Sequence, residues 1–478
     1  MSFSSFLFQR ELGFKPNSSY FDILLDKYKL NNIYSFEDQF NDVSSPLSLS
    51  TNSESLAVVT EYGNISLLTK KELKKVQIWQ GHNNAIFDVK WRINYDNHIL
   101  TASGDQSVAL WDIFTYKKIF QVEGAHKSSI KSISFGDENK FVSGARDGII
   151  KIWDIRSPNV NEITSIVDAH KSSYVKRSNS KHSRSNPLNS VTCVLFVPQS
   201  NFIYSGGAND ATIKLWDIRK LSVKGKCKPV KLLPYLGTSY TSAHGFTSLA
   251  LDSRNRLFGS CTDHCIYCFY PNDESSAIRH IGHQVNNYTK IRVFQDKYLI
   301  SGSTDGNVYI WSLLGKNHRG LIWPYCTFPH GIDEVTAVDC DYTNFSIYSC
   351  SDDLTVKQWQ IQPLRDANFS TLSDSEVKAQ KFKCKDGVVL KESQIERKLS
   401  TITPKMTPTP QPLSLITNWF QKQKDEMTPT NAKVPRLANS TPKKVFSKEN
   451  RSKSKRIEMS RKLLFQRNRK ISDYLVHL

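Results

Sequence analysis

The feature that most constrains this chain is a spacing: an Asp in a turn-forming context, followed six positions later by an aromatic residue that ends a short alternating apolar stretch. It recurs at Asp105/Trp111, Asp147/Trp153, Asp210/Trp216, Asp263/Phe269, Asp305/Trp311 and Asp353/Trp359. The run Asp147-Gly148-Ile149-Ile150-Lys151-Ile152-Trp153-Asp154-Ile155-Arg156 shows the unit in full. A histidine precedes each Asp, at His82, His126, His170, His244, His283 and His330. Between them, stretches such as Ile130 to Phe135 and Phe141 to Ser143 alternate with period two, and turn residues separate the runs. Four short strands per unit result. A period of about 42 residues, as between Asp105 and Asp147, is that of a β-propeller blade.

A seventh unit is concealed in Leu56 to Leu68, with Glu61 in the place of the Asp and Leu67 in that of the aromatic residue. The spacing therefore predicts an all-β, seven-bladed propeller over residues 50–362. Because a closed ring leaves no exposed sheet edge, a strand from the N-terminal segment, residues 1–49, is expected to complete the last blade. That segment also holds Phe21, Leu24, Leu25 and Tyr28 at helical spacing behind Ser18-Ser19, which predicts a short amphipathic helix that docks on the protein's own body or on a partner.

Charge divides the chain. Residues 363–478 carry 25 Lys/Arg against 11 Asp/Glu, which accounts for +14 of the formal net charge of +19. Rich in Thr-Pro pairs and poor in apolar residues, this stretch cannot bury enough surface to offset chain entropy of roughly 1–2 kcal/mol per residue, so it is expected to be a disordered basic tail. Two insertions, one after His170 and one from Lys220 to Tyr240, bring further lysines and read as surface loops. Nine cysteines without framework spacing favour a reducing compartment. The opening Met1 to Gly13 lacks the apolar core of a secretory signal, and no run approaches 18 apolar residues, so an intracellular protein with no membrane span is expected.

Catalysis finds little support. The His/Asp pairs read as structural, each imidazole linking a turn carboxylate to a Ser or Thr such as Ser143. Cys261, His264, Cys265 and Cys268 resemble zinc ligands, but strand residues three apart face opposite ways, whereas a tetrahedral site needs convergent side chains. No G-x-S-x-G, phosphate-binding glycine loop or H-E-x-x-H is present, so no metal, cofactor or catalytic residue is assigned. Recognition remains.

Three stretches carry a specific resemblance: Leu7-Phe8-Gln9-Arg10-Glu11-Leu12-Gly13; His82 to Trp91 with Leu100-Thr101-Ala102-Ser103-Gly104-Asp105-Gln106; and Phe246 to Asp252 with Cys261-Thr262-Asp263. In these the chain resembles the denticleless family of WD-repeat proteins. The resemblance implies a substrate receptor of a cullin-4 ubiquitin ligase, which brings proteins presented on the sliding clamp PCNA to ubiquitination and acts in the nucleus. It also implies two binding elements. Trp153-Asp154-Ile155-Arg156 and Trp216-Asp217-Ile218-Arg219 resemble the box by which such receptors dock on the ligase's damaged-DNA-binding-protein adaptor. An arginine at a blade rim offers five donors in a rigid fork. The terminal Asn468-Arg469-Lys470-Ile471-Ser472-Asp473-Tyr474-Leu475 resembles a PCNA-interacting box, in which Ile471 and Tyr474 would share one face of a 3₁₀ turn. Ile416, Trp419 and Phe420 repeat that spacing; neither box has the usual leading Gln.

The rest of the tail offers Lys443, Lys444, Arg451, Lys453, Lys455 and Arg456, spaced like a nuclear import signal. Thr403, Thr407, Thr409, Thr428 and Thr441, each before a proline, suit proline-directed kinases, whose phosphates would weaken attraction to acidic surfaces. A second reading stays open: a chromatin- or nucleic-acid-binding scaffold outside any ligase, its tail making weak nonspecific contact with DNA.

Overall fold

The computed structural model describes residues 24–36, 44–156, 162–171, 189–221, 227–235, 237, 244–270, 273–285, 289–313, 321–361 and 377–382. The residues up to Val388 form one compact unit. Seven antiparallel sheets make it up, each with a four-stranded core. Blade 3 is typical: Ile130–Phe135, Lys140–Ala145, Ile150–Asp154 and Glu162–Ile166 pair in chain order from the axis outward. Blades 1, 2, 4, 5 and 6 occupy residues 46–80, 86–122, 191–234, 246–280 and 291–329.

Blade 7 closes the ring. Its three inner strands, Val335–Asp341, Ser346–Ser351 and Thr355–Ile361, are completed by Tyr28–Ser35, which pairs antiparallel from Tyr28 against Ile361 to Ser35 against Thr355. The expected N-terminal closing strand is therefore present, although it begins inside the stretch read as a helix. Leu24 and Leu25 still have helical backbone, Asp26-Lys27 turn, and Tyr28 starts the strand; residues 20–23 lie outside the described ones. Leu25 and Tyr28 are buried between blades 6 and 7, so these two pack on the protein's own body.

Seven apolar clusters form the core among the described residues, one at each blade-to-blade contact. Leu100, Ile133, Phe141 and Trp153, for example, join blades 2 and 3, and Phe36, Leu56, Tyr348 and Val356 join blades 7 and 1. Each blade thus buries both faces against its neighbours, as stacked repeats require. Hydroxyls on the inner strands cross-link adjacent blades: Ser132 and Ser134 accept from the backbone of Val194 and Phe196 at 3.2 and 3.1 Å.

The turn before the third strand of each blade explains the Asp signature. The residue after the Asp has left-handed backbone in six blades: Gln106, Gly148, Ala211, His264, Gly306 and Leu354. In blade 1 that conformation belongs to Gly63, whose Cβ, if it had one, would lie 2.2 Å from the His82 carbonyl oxygen, so glycine is required there. The register follows from it. Tyr62, not Glu61, stands in the Asp position, and Leu68, paired with Leu56 as Trp111 is with Ile99, stands in the aromatic position rather than Leu67. Spacing alone had matched the nearest acid, whereas the turn is set by the left-handed residue.

The described structure also moves a boundary. After Ile361 the chain returns at Val377 to Phe382: Gln380–Lys381 pairs with the outer strand of blade 6, and Val377 and Ala379 bond to Leu30 and Tyr28 of the closing strand. Phe382 stacks on Trp323 at 5.8 Å. This clasp lies in the stretch expected to be tail. Likewise Lys231, read as part of a loop, begins the outer strand of blade 4, Lys231–Pro234.

Candidate docking face

Alternating strand directions sort the loops. The Asp turns and the histidines fall at one end of the ring, and the connections between third and fourth strands, which follow Trp153-Asp154 and Trp216-Asp217, fall at the other.

At the first end four histidines make the expected relay. His126 Nδ1 meets Asp147 at 3.1 Å, its Nε2 meets Ser143 Oγ at 2.8 Å, and the Trp153 indole donates to the same hydroxyl at 2.9 Å. His82 with Asp105, Thr101 and Trp111, and His170 with Asp210, Ser205 and Trp216, repeat it. In blade 7 the ring is reversed, with Nδ1 on Ser349 and Nε2 toward Thr355 and Asp353. These contacts hold Asp210 and Asp353 down to about 2 against the opposing effect of burial.

Blades 5 and 6 depart from it. There the carboxylates of Asp263 and Asp305 accept from the hydroxyls of Tyr267 and Tyr309, at 2.5 and 2.6 Å. A tyrosine four residues past the Asp lies on the same strand face and fills the place of the imidazole. His244 stacks on Tyr235 instead, and His283 is buried with neither ring nitrogen hydrogen-bonded among the described residues.

The cysteine cluster is committed to the sheet. Cys261 pairs across from Cys265, Cys268 is buried, and His264 Nδ1 accepts from the Val285 amide at 3.0 Å. Burial pushes the thiols of Cys265 and Cys268 up to about 12, away from the thiolate that zinc needs.

At the opposite end, Arg156 and Arg219 project from adjacent blades 3 and 4. Each forks onto the Asp two residues earlier: Arg156 Nε and Nη2 onto Asp154 at 3.0 and 2.6 Å, and Arg219 Nε and Nη2 onto Asp217 at 3.0 Å each. The hydrogen bonds from the arginines hold both carboxyls below the usual carboxylate range. Each Asp also accepts from the arginine's own backbone N–H, which tightens the turn; Asp217 thereby caps a 3₁₀ turn, Ile218–Lys220. The guanidinium side chains stay 63 and 64 % exposed, with Nη1 outside these pairs. The tryptophans of the two boxes are different: Trp153 and Trp216 are buried and contribute to the core.

A third member of this row lacks the arginine, which in the sequence sets it apart from the two boxes. In blade 2, Asp112 accepts from the Phe114 amide at 3.0 Å in the same turn, so Phe114 takes the place of the arginines and is 75 % exposed. An exposed apolar ring at the matching turn of the next blade adds an apolar side chain to the end of the ring that carries the two guanidiniums, the mixture that interface anchors use. Its signal was the shared Trp-Asp-Ile frame, Trp111-Asp112-Ile113.

Asn468, Ile471, Tyr474, Leu475, Ile416, Trp419, Phe420, the import-like lysines and arginines and the Thr-Pro threonines lie outside the described residues, as do Lys176, Arg177, Lys181 and Arg184 of the first insertion.

A ring of seven sheets in which five repeats end in a tryptophan, three of them in Trp-Asp, is a WD-repeat propeller. The WD domain, G-beta repeat family matches residues 73–112, 117–154, 178–217, 279–312 and 323–360, each match ending at the residue after a tryptophan. The two repeats without a match end at Leu68 and Phe269, where the tryptophan is lacking. Beyond that class, the chain is 34 % identical over 340 residues to the Denticleless protein homolog of Danio rerio, covering 67 % of this chain and 51 % of the relative. It is 33 % identical over 335 residues to the Denticleless protein homolog of Homo sapiens, covering 64 and 44 %, and 31 % identical over 364 residues to Protein lethal(2)denticleless of Drosophila melanogaster, covering 69 and 45 %. The chain belongs to the denticleless family of WD-repeat proteins. It spans about half the length of the curated relatives it matches.

Proposed function

We propose that this protein is a substrate receptor of a cullin-4-type ubiquitin ligase, acting in the nucleus on PCNA- or chromatin-bound replication and cell-cycle proteins. The observation that carries the reading is the pair of exposed, carboxylate-braced arginines on neighbouring blades, with Phe114 at the matching turn of blade 2, in a chain similar to denticleless proteins. Asp154 and Asp217 fix the forks in advance, so little rotamer entropy is lost when a damaged-DNA-binding-protein adaptor supplies carboxylate or carbonyl acceptors. The receptor does no covalent chemistry; it raises the local concentration of substrate lysines near the transferring enzyme.

In this reading the tail dwells on PCNA through Asn468, Ile471, Tyr474 and Leu475, or through Ile416, Trp419 and Phe420. The basic run from Lys443 to Arg456 serves import, and the Thr-Pro sites tune both by phosphorylation. Affinity purification tests it. Arg156→Ala with Arg219→Ala is expected to lower adaptor and cullin recovery by about tenfold, and Phe114→Ala to lower it further; recovery equal to that of the unaltered chain overturns the docking assignment.

The tail's charge favours a second reading, a nucleic-acid-binding scaffold. A tail that holds 6–10 phosphates should lose about 10³–10⁵ in affinity between 50 and 200 mM salt. Apolar plugging of a clamp pocket changes far less. Chromatin retention that survives Ile471→Ala with Tyr474→Ala and Ile416→Ala with Trp419→Ala but collapses with salt would select the scaffold.

A further inference from the structure

At the end of the ring that carries the Asp turns, the axis opens into a cavity of about 400 Å³. A repeated irregularity builds its wall. In six of the seven inner strands the register slips near the start, leaving Leu47, Phe87, Lys131, Thr192, Thr247 and Thr336 out of the ladder. Such bulges re-aim side chains and recur next to functional sites. All of these residues except Thr336 line the cavity. Thr336 is tied to the Pro46 carbonyl at 2.7 Å instead.

The charge of the lining is lopsided. Lys90, Lys131, Arg146, Lys290 and Arg292 face a single carboxylate, Asp88, among the lining residues. Asp88 is already shared by Lys290 at 2.6 Å and Lys90 at 3.1 Å. Lys290 reaches it across the axis from blade 6 and also donates to the Phe87 carbonyl at 2.9 Å. Arg292 Nε lies 3.0 Å from Asp339, but it is buried without a properly aligned hydrogen bond. On blade 3, Lys131 Nζ rests 3.3 Å over the Phe87 ring and Arg146 stands beside the Asp turn, and no carboxylate of blades 3 to 5 lines the cavity. Burial and the neighbouring Arg146 push Lys131 down to about 8, and burial with Arg292 and Lys290 does the same to Lys90. Cations crowded in a concave, poorly hydrated site focus their field on an incoming anion.

We propose that this cavity receives an anionic side chain of an extended peptide, a carboxylate or a phosphate, which Lys131 and Arg146 hold while Leu47 and Phe87 pack on its stem. The choice of a peptide as occupant rests on the receptor reading; the anion preference rests on the lining alone. Lys131 is half-buried in the axis, where a single inserted side chain reaches it and a nucleic-acid backbone, which presents its phosphates along an outer surface, does not; Arg146 stands exposed at the mouth.

The test uses the purified full chain and fluorescence anisotropy of labelled Gly-Ser peptides with a central Asp-Glu-Asp, a central phosphoserine pair, or a neutral Asn-Gln-Asn. Either anionic peptide is expected to bind at least tenfold tighter than the neutral one, and the tighter of the two identifies the anion (~1.4 kcal/mol per tenfold). Lys131→Ala with Arg146→Ala should abolish that preference, with Lys131→Gln as a variant that keeps the stem over Phe87; Lys453→Ala with Lys455→Ala in the basic tail should leave it intact. Equal binding of all three peptides, loss that follows the tail variant, or displacement of the peptide by a short single-stranded oligonucleotide would each overturn the assignment. Adaptor recovery by the same Lys131/Arg146 variant separates the two proposals: intact recovery with unchanged peptide binding removes the cavity site alone, whereas peptide binding by a chain that never recovers adaptor removes the receptor reading alone.

Discussion

The His–Asp relays show how one residue can matter greatly in one blade and hardly at all in another. Asp147→Ala leaves the buried His126 without its carboxylate partner, a loss of about 1–3 kcal/mol. Tyr62→Ala, at the matching position of blade 1, removes an exposed ring and should cost within about 0.5 kcal/mol. Urea denaturation of the two variants checks the contrast, which vanishes if the relay carries no stability. The junction of blades 5 and 6 adds a dependence on pH. Burial pushes His283 down to about 3 and His280 to about 4. Below the ordinary histidine value near 6.5, the unfolded chain therefore takes up protons that the folded one refuses, and stability falls with pH until those depressed values are reached. At a pH of about 5.5 the two together should cost about 3 kcal/mol relative to neutrality, and His283→Gln should recover about half of that loss in matched denaturation curves. An undiminished loss in the variant would locate the sensitivity elsewhere.

Elements join where single residues cannot. Between blades 7 and 1, Lys70 is sealed against Asp341 at 2.6 Å and also donates to the carbonyls of Asn52 and Ser53, both at 2.7 Å. The Lys70 carbonyl in turn accepts from the Tyr348 hydroxyl and the Gln358 amide of blade 7. Removing one partner of a buried, hydrogen-bonded pair strands the other charge, so Lys70→Ala should destabilise the ring by about 3–5 kcal/mol, whereas Lys74→Ala, whose pair with Glu72 is exposed, should change little. Thermal melts of the two variants make the comparison, and equal melting temperatures would contradict it. At this scale the sequence was partly legible. Strand number and order followed from the Asp-to-aromatic spacing and from period-two alternation, because both report local geometry. Blade 1 was read one residue out of register, since its turn is defined by Gly63 rather than by an acid. The partners of Asp263 and Asp305 escaped notice, because a tyrosine can replace an imidazole without disturbing any spacing.

For the whole molecule, the count of seven blades and closure by N-terminal residues could be inferred because a ring must have no free edge. The clasp of residues 377–382 could not: its short apolar alternation, Val377-Lys378-Ala379, is embedded in a polar stretch, and only the rims of blades 6 and 7 give it a place. The docking arginines were legible as a motif, but their bracing by Asp154 and Asp217, the neighbouring Phe114 and the bulge-built cavity depend on three-dimensional register. The two ends of the ring divide the labour in the proposed receptor, with rim arginines on one side and a cationic well on the other. Substitutions in either should therefore leave the other's binding intact, because no residue of one site touches the other.

The pairing of Tyr28 to Ser35 with Thr355 to Ile361 has a consequence for synthesis. The first of the described strands must wait for its partner while the ribosome produces more than 300 further residues, and only then can the circle shut. Until that moment blade 7 has no outer strand, which makes the nascent chain a natural client for chaperones and makes any shortening that removes residues 28–35 a route to clumping rather than to a smaller working protein.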